Sequence, residues 1–528
     1  MKPPSATKFS LPISLLLLVV LLSTSLTRAT IAPPPLPVLP LPSAQQVTWQ
    51  SSGMAMFFHF GMNTFTDTEW GTGHADPTLF NPVHLDPKQW VRVAREAGFR
   101  RVILTAKHHD GFCLWPSAYT NYSVKSSPWK GGEGDVVAEV AEAAREAGIG
   151  LGLYLSPWDR HEAAYGETLE YNEYYLGQLH ELLTMYGPIQ EVWLDGAKGK
   201  DAKSMEYYFK EWFSVIHQLQ PGAVIFSGAG PDIRWVGDEG GVAGATCWSM
   251  FNSSDVTIGG DLNEQYSRQG DPNGYNWVPP ECDVSIRPGW FWHSSEHPKT
   301  TNSLLEIFYK SVGRNCMLLL NVPPTNTGVL ADEDVQVLNN FKDMLKSIFS
   351  INLAQNAIVT ASSVRGNNCQ FGASQILIDD MLTYWAPKEG QEKWYILLDL
   401  ESPISFNVLC IQEAIQLGQR VSQYHLDVLE DGVWCTVMNG TTIGYKRLER
   451  FNLVSSQFLR LTIDEARADP LISYFGLYTD NTTFVYANDS SKVISSSGST
   501  LKEKGLISLD EKVQSVSGKV STKSVLTS

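Results

Sequence analysis

The residues best suited to chemistry in this chain stand where short apolar runs stop. One run closes in Phe58-His59-Phe60-Gly61, a second in Lys107-His108-His109-Asp110-Gly111, a third near Tyr154, Ser156 and Trp158, a fourth in Asp195-Gly196 and a fifth in Ser227. Polar groups are costly in a core unless each finds a partner, so their recurrence at the same end of consecutive units points to one shared pocket. An Asp after a strand is also an ordinary helix N-cap, and a lone His is often a satisfied structural group. Recurrence over successive units favours the pocket.

Cleaving an acetal needs two carboxyls, one to attack or stabilise the anomeric carbon and one to protonate the departing oxygen. Asp195 is the candidate nucleophile, and Glu239, Glu264, Glu281 and Glu296 are candidate acids among which spacing does not choose. Zinc is the competing chemistry, because histidines at strand ends often ligate it. Adjacent residues on a strand face opposite ways, however, so His108 and His109 are not expected to share one ion. The preferred reading is direct hydrogen bonding to a polyhydroxyl substrate, with no metal and no cofactor.

These side chains require a scaffold of repeated strand and helix units. Strands are expected at residues 54–60, 101–106, 149–155, 191–194, 223–226 and 317–322, and helices at 88–97, 134–147, 169–186, 205–219 and 303–312. Residues 237–298, rich in Gly, Pro and Trp, read as long loops with at most short strands. This pattern predicts an α/β fold, a TIM-like (β/α) barrel over residues 45–350, with its eighth strand inferred from the architecture. A helix at 331–348 leads to short alternating segments at 351–480 that predict a β-sandwich.

Composition limits the function classes. The 528 residues carry 56 acidic and 40 basic side chains, a net charge of −16, with no basic stripe, which argues against nucleic acid as a partner. The 16 Trp and 20 Tyr supply flat rings suited to sugars as well as to core packing. Residues 1–32 read as a secretory signal peptide, with Lys2 and Lys8 before an apolar run. Residues 33–44 read as a Pro-rich linker, 481–528 as a disordered tail, and no segment as a membrane span. Sequons at Asn121, Asn252, Asn439, Asn481 and Asn488 agree with a secreted glycoprotein. The seven cysteines show no Cys-X-X-Cys spacing, and their odd count leaves at least one unpaired within the chain.

His59-Phe60-Gly61, Glu69-Trp70, Lys107-His108-His109-Asp110-Gly111-Phe112, Tyr154-Leu155-Ser156-Pro157-Trp158, Trp193-Leu194-Asp195-Gly196 and Arg287-Pro288-Gly289-Trp290-Phe291-Trp292-His293, in that order, resemble the α-L-fucosidases of glycoside hydrolase family 29. The resemblance implies a retaining hydrolase that removes terminal fucose from oligosaccharides and glycoproteins outside the cell, in the apoplast or cell wall. It implies Asp195 as nucleophile, and His59, Glu69, Trp70, His108, His109, Tyr154, Trp158 and Trp292 as substrate-binding residues. Arg234-Trp235-Val236-Gly237-Asp238-Glu239-Gly240 resembles the branch acting on α-1,3 and α-1,4 linkages, with Glu239 as acid/base. Asp379 to Trp385 and Trp394 to Leu400 resemble discoidin-type modules, for which bracing of the barrel is the favoured role. The alternative is a fucose-binding lectin on a hydrolase-derived barrel.

Overall fold

The computed structural model describes residues 32–200, 202–228, 230–253 and 263–482. Residues 1–31 of the expected signal segment, and residues 483–528 of the expected tail with Asn488, lie outside the described residues.

Eight parallel strands close a barrel: β1 (Met54–Phe58), β2 (Arg101–Lys107), β3 (Gly150–Leu155), β4 (Glu191–Trp193), β5 (Val224–Ser227), β6 (Ile233–Trp235), β7 (Pro280–Ser285) and β8 (Met317–Asn321). Each strand pairs with its neighbour in the chain, and β1 pairs with β8 to complete the ring. Helices α1 (Ala44–Ser52), α2 (Pro87–Glu96), α3 (Val136–Ala147), α4 (Thr168–Met185), α5 (Phe209–Leu219), α6 (Glu264–Gln269), α7 (Thr301–Lys310) and α8 (Asp332–Phe349) accompany it. Local chemistry sets their limits. Asp86 accepts from Gln89 N ahead of Pro87 at the start of α2, while Asp135 opens α3 by accepting from Ala138 N. Gly148, at φ 65°, ends α3 in the left-handed conformation.

Two barrel strands were not expected. β6 is only three residues long, too short for a periodicity to register. β7, Pro-Glu-Cys-Asp-Val-Ser, is one of the short strands allowed for in the region read as long loops, but it was not assigned to the barrel. Its alternate residues Glu281, Asp283 and Ser285 meet Trp193, Trp235 and Asn321 respectively, so a polar face is directed at partners inside the barrel. Because every residue of β7 is buried, hydropathy misreads it. Helix α5 also starts at Phe209, later than the expected residue 205.

The entry end of the barrel is plugged by α1. Trp49 is 1% exposed and donates Nε1–H to Glu191 Oε2 at 2.9 Å. The same carboxylate lies 3.3 Å from Arg101. Trp49→Ala is expected to cost about 3–5 kcal/mol of stability in urea unfolding, through the lost ring and a buried carboxylate deprived of a donor. A loss under about 1 kcal/mol would remove Trp49 from this role.

Beyond α8 the chain forms an antiparallel sheet of β9 (Ile358–Ala361), β10 (Trp394–Glu413), β11 (Val421–Glu430), β12 (Val433–Gly440), β13 (Arg447–Ala466) and β14 (Ile472–Tyr478). The two strands of 20 residues, β10 and β13, pair with each other through register breaks. The first part of β10 pairs with β9 and the second with β14. These stretches enclose a core that includes Leu398, Leu409, Leu426, Leu461 and Phe475.

The Pro-rich stretch read as a linker is docked on this module. Pro33, Leu36 and Leu39 present carbonyls to Arg365, Arg420 and Arg467 at 2.8, 2.8 and 3.1 Å. Prolines leave carbonyls without matching N–H groups, which suits them to such cationic donors. The module also grips the barrel: Thr442 accepts from Cys247 N at 2.8 Å, Gln419 from Ser249 N at 2.7 Å, and Arg447 donates to Ala245 O at 2.6 Å. These bonds fix the segment that follows Glu239, in keeping with a bracing role. Cys282 and Cys316 form a disulfide joining β7 to the start of β8, and the other five cysteines are free.

Candidate active site

Strand ends of the barrel surround a cavity of about 310 Å³. Its wall includes His59, Glu69, Trp70, His108, His109, Asp195 and Glu239 from the expected set, together with Phe57, Trp193, Phe226, Trp235, Asp283 and Trp290.

His59 follows β1. Asn321, at the end of β8, gives its amide N–H groups to Ser285 Oγ and Trp290 O at 2.9 and 2.7 Å, so its oxygen faces His59. That oxygen accepts from His59 N at 3.2 Å and His59 Nδ1 at 2.9 Å. The proton therefore resides on Nδ1, and Nε2 is left as an acceptor.

His108 and His109 come one step after β2, where the chain has left the extended conformation. The alternation rule lapses there, and the two rings lie 4.2 Å apart rather than on opposite faces. Asn63 donates to His108 Nδ1 at 3.3 Å, leaving Nε2–H as a donor. Ser156 uses its own proton on Trp158 O, so its oxygen accepts from His109 Nδ1 at 2.7 Å. His109 Nε2 is thus an acceptor, 3.6 Å from Asp195 Oδ2.

Burial pushes all three imidazoles below the usual histidine range, His59 down to about 3 and His108 well down, while the carboxylate of Asp195 partly offsets the effect on His109. Three neutral rings offering one donor and two acceptors match a polyhydroxyl ligand better than an anionic one. The loop is anchored from below by the fully buried ion pair of Lys107 with Asp159 at 2.8 Å. At Gly111, with φ 85°, a Cβ would come within 2.5 Å of Asp159 Oδ1, so the turn requires glycine.

Asp195 is half-buried, one residue past Leu194. It caps no helix: its Oδ1 accepts from Ala197 N at 2.8 Å in a tight turn, and the next helix is α5. Its Oδ2 accepts from Tyr154 OH at 2.9 Å. Tyr154 is fully buried and positions this carboxylate from beneath. The ligand-type atoms of His108, His109 and Asp195 fall within 4.8 Å of one another, which corrects the expectation that the two histidines diverge and leaves a cation geometrically admissible.

Of the four candidate acids, Glu239 alone lines the cavity with Asp195. It stands at the exposed rim, where its Oε2 accepts from Trp290 Nε1 at 3.2 Å. Burial against the cavity raises its proton affinity, the carboxylates of Asp195, Glu69 and Asp238 raise it further, and Trp290 opposes them. Glu264 pairs with Arg268 on the surface at 3.1 Å. Glu281 is sealed in the barrel, accepting from Trp193 Nε1 at 2.8 Å, and Glu296 holds Gly289 N at 3.0 Å.

Glu69 orders the loop after β7. It accepts from Trp290 N, Phe291 N and His293 Nε2 at 2.9, 3.3 and 2.7 Å. Trp70 is 45% exposed, edge-on to Trp158 at 5.3 Å, and Trp158 in turn packs on His109 at 5.0 Å. Trp158 therefore supports the wall rather than lining it. Trp292 is not among the lining residues either, and its Nε1 is buried without a partner. The ring that does face the cavity is Trp290, 5.0 Å from His59. Sequence reasoning missed it, along with Asp283, Trp235 and Phe226; Trp235 ends β6 and would have been found by extending the strand-end pattern to that strand.

The comparisons with known proteins converge. Residues 42–347 match the family described as α-L-fucosidase. Alpha-L-fucosidase 1 of Arabidopsis thaliana is 60% identical over 458 residues, covering 86% of this chain and 90% of that protein. The crystal structure of SpGH29 superposes with a TM-score of 0.81 at 41% identity, covering 84% of this chain and all of its own. A Ruminococcus gnavus GH29 fucosidase in complex with fucose gives 0.81 at 36% identity, covering 86% and 98%. A closed barrel whose cavity is lined by two candidate catalytic acids and neutral histidines, matched along most of its length by these proteins, identifies the chain as a member of the α-L-fucosidase family, glycoside hydrolase family 29.

Proposed function

We propose that the protein is a retaining exo-α-L-fucosidase acting on terminal α-1,3- and α-1,4-linked L-fucose through a covalent fucosyl-enzyme. The observation that carries this reading is the pairing of Asp195 and Glu239 on one cavity with His59, His108 and His109. Asp195 attacks the anomeric carbon while Glu239 protonates the glycosidic oxygen, releasing the rest of the glycan. Glu239, now a carboxylate, then takes a proton from water, which cleaves the ester and frees Asp195. Retention calls for carboxyls about 5–5.5 Å apart. Phe57, Phe226 and Trp235 give the 6-deoxy methyl group an apolar wall, and the imidazoles serve the ring hydroxyls.

The same proposal takes the protein to be secreted to the apoplast and glycosylated. The disulfide Cys282–Cys316 suits an oxidising compartment. Asn121, Asn439 and Asn481 are exposed, whereas Asn252 spends its Nδ2 on Asp271 at 3.2 Å and is the least accessible of the described sequons.

The test is a panel of α-1,2, α-1,3, α-1,4 and α-1,6 fucosylated oligosaccharides followed by NMR, with and without a chelator. Cleavage of the α-1,3 and α-1,4 members, first appearance of α-L-fucose, and indifference to chelator are expected. β-L-fucose as first product would overturn retention, and loss of activity to chelator with recovery on zinc would replace the mechanism by a metal-dependent one. Binding without turnover would leave the lectin reading.

A further inference from the structure

Among the described residues the cavity wall carries four carboxyls, Glu69, Asp195, Glu239 and Asp283, and no Lys or Arg. Its three histidines are held neutral by burial. A small cavity cannot keep that many anions ionised without a compensating cation, so at least one acid must retain its proton. Glu69 is engaged by three donors and Asp195 by Tyr154 OH and Ala197 N. Glu239 reaches the exposed rim. Asp283 is the remaining member, with 4% exposure, and it is placed on β7 itself rather than in a loop.

Its surroundings favour the neutral form. Oδ1 accepts from Trp235 Nε1 at 2.7 Å, and among the described residues no Lys, Arg or His forms an ion pair with it. An antiparallel β-bridge between Gly240 and Val284 ties the loop that carries Glu239 to the strand that carries Asp283, and both acids line the same cavity. The titratable groups facing Asp283 are Glu239 and Asp238 from the loop after β6 and Glu281 from its own strand. Asp238 is itself matched by Arg268 at 2.8 Å. Burial first, and the charge of Glu239 second, drive its proton affinity well above the usual carboxyl range.

We propose that Asp283 is a substrate-binding residue, a carboxylic acid that keeps its proton and donates an O–H hydrogen bond from the cavity wall to a hydroxyl of the bound terminal sugar. It takes the place that a Lys or Arg fills in pockets for anionic sugars, and so selects a neutral deoxy-sugar. The Trp235 bond fixes the acid's orientation, because Oδ1 is committed as an acceptor and Oδ2 is left to carry the proton. This rests on the fucosidase reading of the cavity.

The test is L-fucose binding by calorimetry from pH 5 to pH 10, in a Glu239→Gln background that removes the rim acid's titration. With Asp283 intact, affinity is expected to fall about tenfold as alkaline pH removes the proton. Asp283→Asn, a permanent neutral donor, is expected to hold its affinity across the range, and Asp283→Leu to bind about tenfold more weakly at every pH. Thermal melts of both variants establish that they fold. Should Asp283→Leu not fold, the pH contrast between Asp and Asn decides alone. Fucose binding that declines identically at alkaline pH in the Asp and Asn proteins would overturn the proposal while leaving the fucosidase reading intact. Failure of the parent protein to bind L-fucose at any pH would instead overturn that reading.

Discussion

Asp195→Ala is expected to lower kcat on an aryl α-L-fucoside by about four orders of magnitude or more, with fucose still bound. The size of the effect follows from the role: in a double displacement the carboxylate makes the bond that the second step breaks, so no neighbour substitutes for it. Tyr154 holds one oxygen at 2.9 Å and Ala197 N the other at 2.8 Å, which aims the carboxylate. His109 Nε2, 3.6 Å away, is an acceptor and gives the carboxylate no competing proton. Azide added to the Ala variant should occupy the vacated face and give the inverted fucosyl azide. A rate within tenfold of the parent would remove Asp195 from the bond-making step, and a large loss without any azide product would reduce it to a positioning group.

Asp195 was legible in the sequence because a single carboxylate directly after an apolar strand leaves a local mark. His108 and His109 left the same mark, but the inference drawn from them failed. The period of two holds only while the backbone stays extended, and β2 ends at Lys107, one residue too early. The place of β7 in the barrel was missed for the opposite reason. Its backbone is regular, yet its inward face is Glu281, Asp283 and Ser285, each held by a side chain from another barrel strand. Hydropathy records only that these groups are polar, whereas a barrel interior accepts polar groups that arrive already paired. The docking of the Pro-rich arm left no mark either, since its partners Arg365, Arg420 and Arg467 are more than three hundred residues away in sequence. The choice of Trp292 over Trp290 is a matter of which ring the loop turns inward. That is set by Glu69 gripping the Trp290 and Phe291 amides, a contact no spacing rule contains.

Glu239→Ala is expected to split substrates by leaving group. Natural α-1,3 and α-1,4 glycosides, whose departing sugar oxygen needs a proton, should lose about two to four orders of magnitude in kcat. A dinitrophenyl fucoside, whose leaving group departs as a stable anion, should form the fucosyl-enzyme almost as fast as before and stall at its hydrolysis. Azide, which needs no base, should then release the retained α-fucosyl azide, the opposite anomer from the Asp195 variant. The pH profile supplies an independent sign. Burial and three neighbouring carboxylates raise the proton affinity of Glu239. The acid form therefore persists to higher pH than for an ordinary glutamate, and activity is lost as pH rises through that raised value. In the Ala variant this alkaline limb should vanish for the activated substrate. Trp290→Phe removes the donor that favours the carboxylate, so it should move the limb further to alkaline pH. Equal losses on natural and activated substrates would show that residue 239 shapes the rim without giving a proton. The acid would then have to be sought at Glu69 or Asp283, the remaining carboxyls of the same cavity.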